Sequence, residues 1–420
     1  MTRLTFALAL LAGGLALAQP DTYFVPIAGR TVPSSPVGAN AMGTAIWLPD
    51  PGVDASQSLL FGFGDGASTP FVLATQGLAN LSNFPAQVDA VATAPGVVVD
   101  GQTKTLVAIL SNGAVSFATL ENDGALYSAL PVQSIDAGTQ IALSAVTGGG
   151  AALLVADGFN MTRFDLDLSG ATPVVRQGGS LPASAGGTTD QSNTIIFDGI
   201  NNVGFIGGRV LGDIYQFDPR MDAGIPTAFD VALVSQGRLA APVTGFALYS
   251  VPGATYLLAA NTQGLTVYDL RSITPLTSAF RVIPFDAVGP ISAPAGVAQT
   301  NLPVGSGAFS SGVIAVGDRA QTDLALLGWG QLASQVDGGL VLDPSFDPRG
   351  GDGGVPDGGV PDGGVPDGGG GGNPSGGRGP VGPGIPVDHG SSCATAAGAP
   401  VLLLLLAGLG LIPRRRRQRR

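Results

Sequence analysis

Carboxylates are the abundant reactive side chains of this chain: 30 acidic residues accompany 19 basic ones and a single histidine. That histidine, His389, sits in a Gly/Pro-rich stretch near the C-terminus. The body of the chain therefore has no imidazole for a Ser-His-Asp triad, a His general base or a His-ligated zinc. The one cysteine, Cys393, lies in the same region, which excludes an internal disulfide and Cys-based metal sites. One local pattern opens like a calcium loop, Asp165-Leu-Asp167-Leu-Ser169-Gly170. Its twelfth position is Arg176, where such a loop needs a bidentate Glu. The stretch reads better as a strand whose alternating Asp side chains face solvent beside a turn.

The elements that would position these groups are strands. Glu121 is the only glutamate and Lys104 the only lysine, whereas helix surfaces use both freely; Gly, Asp, Thr and Val suit turns and strands instead. Strand candidates are Ser58–Phe63, Thr105–Leu110, Ala114–Leu120, Ala152–Ala156, Val203–Gly207, Asp213–Phe217, Thr255–Ala260, Leu265–Asp269 and Gly312–Val316. Asp65-Gly66, Asp100-Gly101, Asn112-Gly113, Asp123-Gly124 and Asp157-Gly158 punctuate them, and such pairs suit hairpins because both residues accept positive φ. A phrase of strand, Gly-containing turn and strand ending in Asp recurs at Ala151–Asp165, Val203–Asp218 and Tyr256–Asp269. Many short strands with no helices between them suit a propeller, a closed solenoid or tandem sandwiches. A spacing of about 50 to 55 residues favours four-stranded propeller blades among these. Residues 44–349 are then expected to be an all-β, six-bladed β-propeller, with Pro-, Gly- and Ala-rich residues 19–43 crossing the surface as a lead-in.

Both ends read as addresses. Arg3, the apolar run Leu4–Leu17 and the small-x-small site Ala16-Leu17-Ala18 predict a signal peptide over 1–18, cleaved after Ala18. Residues 350–392 repeat Gly-Val-Pro-Asp-Gly three times and continue into polyglycine, a composition that cannot build a core and predicts a disordered stalk. After Cys393, the uncharged stretch 394–412 would form a hydrophobic helix about 28 Å long, close to the hydrocarbon thickness of a bilayer. Arg414, Arg415, Arg416 and Arg417, with Arg419 and Arg420, favour the cytoplasmic side, so the body is expected outside. Six of the basic residues lie in this tail, leaving the body more acidic than the whole chain's net charge of −11. Such a body repels nucleic acid, and a monomer is expected.

Cysteine, apolar segment and arginine cluster in that order, behind a low-complexity linker, resemble the myxobacterial-type C-terminal sorting signals. That resemblance implies a membrane protease acting near Cys393 and a mature protein held at the bacterial cell surface or outer membrane. The plainer reading is an unprocessed tail anchor with Cys393 incidental. The body is similar to the β-propeller phytases, Ca²⁺-dependent 3-phytases with six blades. The carrying phrases are Thr44-Ala-Ile-Trp47-Leu-Pro49, Gln87-Val-Asp89, Pro242-Val-Thr-Gly245-Phe-Ala-Leu-Tyr249, Tyr256 to Asp269, and Ala293-Pro-Ala-Gly296-Val297 followed by Gly312 to Asp318 and Leu327-Gly-Trp329. They keep the family's order from about residue 40 to 334.

The resemblance implies Ca²⁺ ions held by carboxylates at the channel mouth, and a phosphorylated small molecule as ligand. Here the acidic positions of the first phrase are Gly43 and Thr44. A Glu position is Thr244, an Asp position is Ala295, and basic phosphate-binding positions are Ala90 to Ala94. The acidic phrase of the fourth blade is matched only by Asp198-Gly199, and a second acidic cluster by Gly207-Gly208-Arg209. Asp89, Asp198 and Asp318 are the metal-binding candidates that survive. Three readings follow: a binding or structural surface module with a degenerate site, an active Ca²⁺-dependent phosphomonoesterase, and a repeat adhesin.

Overall fold

The computed structural model describes residues 21–350 apart from 32–42, 65, 86, 122–126, 132–134, 137, 158–159, 171, 183–191, 209–211, 222–226, 229–241, 263, 271–278, 288, 292 and 337–338. Its regular elements are nearly all strands, in six separate sheets, and together they form a six-bladed β-propeller. The innermost strands of blades 1 to 6 are Gly43–Trp47, Ala90–Val99, Gln140–Ala145, Ser192–Asp198, Val243–Val251 and Pro294–Thr300. Each is followed outward by antiparallel neighbours in chain order.

Six buried clusters fill the six seams between neighbouring blades. Trp47, Phe61 and Ile109 join blades 1 and 2; Leu106, Phe117 and Leu153 join 2 and 3; Leu154, Phe197 and Tyr215 join 3 and 4. Phe205, Phe246 and Leu257 join 4 and 5, Tyr249, Tyr256 and Trp329 join 5 and 6, and Ile46, Leu60 and Leu326 close 6 on 1. A sheet sandwiched between two others is apolar on both faces, so its middle strands read as continuous apolar runs rather than alternating ones. Ala151–Ala156, Val313–Asp318 and Asp323–Gly328 are buried at every position.

Each of the nine predicted strands overlaps an observed one, with ends that agree to within three residues; only Ser58, Asp213 and Gly312 fall just outside. The recurring phrase is one structural unit: the hairpin of the second and third strands in blades 3, 4 and 5, at Ala151–Ala156 with Asn160–Asp167, Val203–Gly208 with Ile214–Phe217, and Ala254–Asn261 with Gly264–Asp269. In blade 2, Asp100-Gly101 and Asn112-Gly113 make the two tight turns with φ of 47°, 72°, 50° and 75°, a backbone that Asn, Asp and Gly tolerate best. Asp65, Asp123-Gly124 and Gly158 lie outside the described residues.

The lead-in expectation for residues 19–43 is corrected. Thr22–Pro26 adds a parallel outer strand to blade 5, Gly29–Thr31 forms the outermost strand of blade 6, and Gly43 begins blade 1. Blade 6 supplies three strands from the C-terminal side of the chain and takes its fourth from the N-terminal side, which ties the ring shut. Composition misled because these short strands carry Pro26 and Gly29, and edge strands tolerate both residues.

The expected signal peptide (1–18), stalk (350–392) and apolar helix (394–412), with Ala18, Cys393 and the arginines, fall outside the described residues save Gly350. Among the described residues no helix is long and apolar enough to cross a membrane.

Candidate functional site

The inner strands run the same way around the ring, as the parallel bridge between Val146 and Gly199 shows for blades 3 and 4. They surround a cavity of about 1070 Å³ to which every blade contributes lining residues. Its front mouth lies where the inner strands begin, at Gly43, Asp89, Gln140, Thr194, Thr244 and Ala295; its rear mouth lies where they end, at Asp198, Asn201, Ser250 and Asn301.

The hydroxyls and carboxamides of the inner strands largely tie blade to blade. Thr93 Oγ1 donates to the Ile46 carbonyl (2.7 Å), and Gln299 Nε2 donates to the Leu248 carbonyl (2.6 Å). The Gly199 N–H donates to Ser144 Oγ (2.9 Å). Thr244, standing where the resembled family has an acid, donates to the carbonyls of Pro294 (3.0 Å) and Ala260 (3.2 Å). A Cβ at Gly43 would lie 2.1 Å from the Phe63 ring, so any side chain there requires that ring to move. Ala295 is buried in the seam between blades 6 and 1.

The three surviving carboxylates are not brought together. Asp89 is exposed at the front mouth and accepts the Asn112 N–H (2.9 Å). Asp198 stands at the rear mouth and caps its own turn, accepting the N–H groups of Ile200 (2.9 Å) and Asn201 (3.0 Å). A strand the length of Ser192–Asp198 spans about 20 Å, and Ca²⁺–oxygen distances are about 2.3–2.6 Å, so no single ion spans Asp89 and Asp198. Asp318 lies outside the cavity lining, 1 % exposed. Among the described residues no group of three or more His, Cys, Asp or Glu could hold a metal ion. The Asp165/Asp167 stretch behaves as its strand reading expects: Asp165 pairs with Arg163 (2.6 Å), and Asp167 accepts from Ser169 Oγ (2.7 Å). Those bonds hold the Asp167 carboxyl below its ordinary pKa.

Asp318 belongs to an ionic cluster at the ring closure. Arg30, on the N-terminal strand of blade 6, donates through Nε to Asp286 (2.6 Å) and through Nη1 to Asp323 (2.7 and 2.9 Å) and Asp318 (3.4 Å). One guanidinium thus faces three carboxylates from blades 5 and 6. Burial pushes the Asp323 carboxyl up; Arg30 opposes this, while the charges of Asp318 and Asp286 add to it. For Arg30, burial alone would lower the pKa, but the bonds to Asp286 and Asp323 leave it raised.

Two further features went unread in the sequence. Residues 339–350 cross the rear face as a strap. The N–H groups of Val341 and Asp343 donate to the hydroxyls of Tyr256 and Tyr249, both at 2.9 Å. Asn301 Nδ2 donates to the carbonyls of Asp343 and Phe346. Arg349 Nη1 donates to those of Pro49 (3.3 Å), Asp50 (3.2 Å) and Val53 (2.9 Å) in blade 1. Phe346 and Pro348 thereby line the rear of the cavity. At the front, Arg319 and Thr44 also line the cavity, and Arg319 Nε and Thr44 Oγ1 are sealed from solvent with no hydrogen-bond partner. An arginine next to Asp318 in a body so poor in cations was the one signal available for the first of these.

No family model matches the chain, and no curated protein matches it. Among solved structures it is similar to Chaetomium thermophilum Raptor, at 12% identity and a TM-score of 0.41 over 72% of this chain; the match spans only 28% of the Raptor chain. It is also similar to the β-propeller domain of Myceliophteria thermophila Cps50 (Swd1), at 10% identity and a TM-score of 0.39, covering 72% of this chain and 99% of that one.

Proposed function

We propose that this propeller is a non-catalytic binding module, phytase-like in descent, carried outside the cell on its Gly/Pro/Asp stalk and held at the membrane by the segment after Cys393. One observation carries the reading: Asp89, Asp198 and Asp318 are dispersed to the front mouth, the rear mouth and the Arg30 cluster. The resemblance would place further calcium ligands at Gly43, Thr44, Thr244 and Ala295, none of which carries a carboxylate. Hydrolysis of a phosphate ester by that route needs clustered Ca²⁺ to neutralise the phosphoryl oxygens, and dispersed carboxylates do not supply it. The channel instead offers an open-mouthed, largely neutral cavity of a size that suits a small ligand.

The rival reading, an active Ca²⁺-dependent phytase, draws on the ordered phrases between residues 40 and 334. Phosphate release from phytate separates the two. The module releases none above background with or without Ca²⁺, and Ca²⁺ leaves its thermal midpoint within about 1 °C, since an ion with no native site adds no stability. Calcium-dependent release that disappears in Asp89→Asn would establish the enzyme instead.

A further inference from the structure

We infer that the rear face, from blade 5 across blade 6 to blade 1, is a groove for an extended peptide, and that residues 339–349 fill it as a removable occupant. The groove reads main chain. Tyr256 and Tyr249 accept the N–H groups of Val341 and Asp343, two residues apart, the spacing at which an extended chain turns its N–H groups to one side. Asn301 Nδ2 then donates to the carbonyls of Asp343 and Phe346. Side chains of the ring thus hold four main-chain groups of the strap. In the recognition of extended peptides such bonds supply affinity, and pockets for side chains supply selectivity.

The floor of the groove is fixed from the channel side. Tyr249, Tyr256 and Trp329 form one aromatic cluster, with ring centroids 4.6, 5.7 and 6.4 Å apart. Trp329 Nε1 donates to Gln299 Oε1 (3.2 Å), and Gln299 is held in turn by its bond to the Leu248 carbonyl. Leu340, Leu342 and Phe346 pack on this cluster while staying partly exposed. At the far end Arg349 reaches the blade 1 carbonyls of Pro49, Asp50 and Val53. An apolar residue at 346 and an arginine at 349 are therefore the side chains that the groove selects.

That the occupant is removable follows from how shallowly it lies. Residues 339–350 contain no strand or helix, and Arg349 alone among them is buried. Val341 is 44 % exposed. The blade 6 strands Val313–Asp318 and Asp323–Gly328 are instead buried at every position. A segment with few buried contacts opens locally, at lower cost than the sheets it lies on unfold. Phe346, Pro348 and Asn301 line the cavity, so unseating the strap uncovers the rear of the channel and frees the Asn301 amide.

Hydrogen exchange of the full-length protein, and a peptide supplied in trans, test this. The amides of Val341 and Asp343 should exchange about a hundredfold faster than those of Val313–Asp318, yet more slowly than an unprotected chain. Tyr249→Phe and Tyr256→Phe, which keep the rings, each speed exchange of the strap about fivefold and leave the blade 6 strands unchanged. A synthetic peptide of residues 339–349 binds the double variant Phe346→Ala, Arg349→Ala, whose own strap is weakened, and raises its thermal midpoint. It binds the wild type about tenfold more weakly, because the groove is already filled. N-methylation of Val341 and Asp343 in the peptide weakens its binding about fivefold. Strap amides as protected as the blade strands, or not protected at all, would overturn the removable occupant. So would a peptide that binds wild type and variant alike, binds neither, or tolerates N-methylation. Should the double variant not fold, the exchange measurements on the wild type and the two Tyr→Phe variants decide. None of these outcomes depends on phytate hydrolysis or Ca²⁺, which test the proposed function.

Discussion

Two arginines a short way apart on the same side of the ring have opposite environments. Arg30 is overcommitted, one guanidinium among Asp286, Asp318 and Asp323; Arg319, one residue beyond Asp318, pairs with no carboxylate among the described residues and borders the cavity. The first sits where the chain's two ends meet, so its bonds connect the N-terminal strand to blades that the chain reaches some 250 residues later, as the separations to Asp286 and Asp323 of 256 and 293 show. The second carries no such duty. A cation committed to structure and a cation held in reserve are thereby distinguished by partners, not by residue type.

Removing the committed one should cost most. Arg30→Ala leaves three carboxylates facing each other without their cation, and a loss of about 3 kcal/mol is expected in urea unfolding. Adding Asp323→Asn should recover part of that loss, and strict additivity in the double-mutant cycle would mean the two groups do not interact. Next comes the strap. Arg349→Ala strips three blade-1 carbonyls of their donor and breaks the pair with Asp347, with an expected loss of about 2 kcal/mol.

Asp323→Asn alone sharpens the same comparison through pH. Burial first, then the neighbouring carboxylates, raises the folded-state pKa of Asp323 above 3.8. The folded state therefore binds this proton more tightly than the unfolded one. The stabilisation is complete below pH 3.8 and fades as pH rises through the folded value. At pH 7 the ionised carboxylate is a residual burden that Asn does not carry, so the variant's stability relative to the wild type should rise between pH 3.5 and 7 in paired urea titrations. A relative stability that falls over this interval would show that the bond to Arg30 outweighs burial. The smallest stability effect belongs to Arg319→Gln, within about 0.5 kcal/mol of wild type in urea unfolding, because no partner among the described residues is lost.

Much of the fold was legible because blade hairpins carry local signals. Asp100-Gly101 and Asn112-Gly113 fix turns through their own backbone preferences, and the strand-turn-strand-Asp phrase marks three equivalent hairpins in blades 3 to 5. Thr22–Pro26 and Gly29–Thr31 gave no such signal, since their partners Ala279–Asp286 and Asp323–Gly328 are remote in sequence. The candidate site was half legible. Asp89 and Asp198 do line the channel, whereas Asp318, which stands in an equally acidic-looking phrase, turns to Arg30.

By itself, then, the amino-acid sequence determined the repeating sheet unit, its apolar filling and the chemistry denied to it: His389 and Cys393 lie beyond the body, so it has no imidazole and no thiol. Those properties follow from local conformational preference and from composition, which need no partner. Only the tertiary structure decided which charges are neutralised, where the ring closes and which residues line the channel. Each of these depends on groups hundreds of residues apart meeting at one seam, and chain order does not encode that meeting.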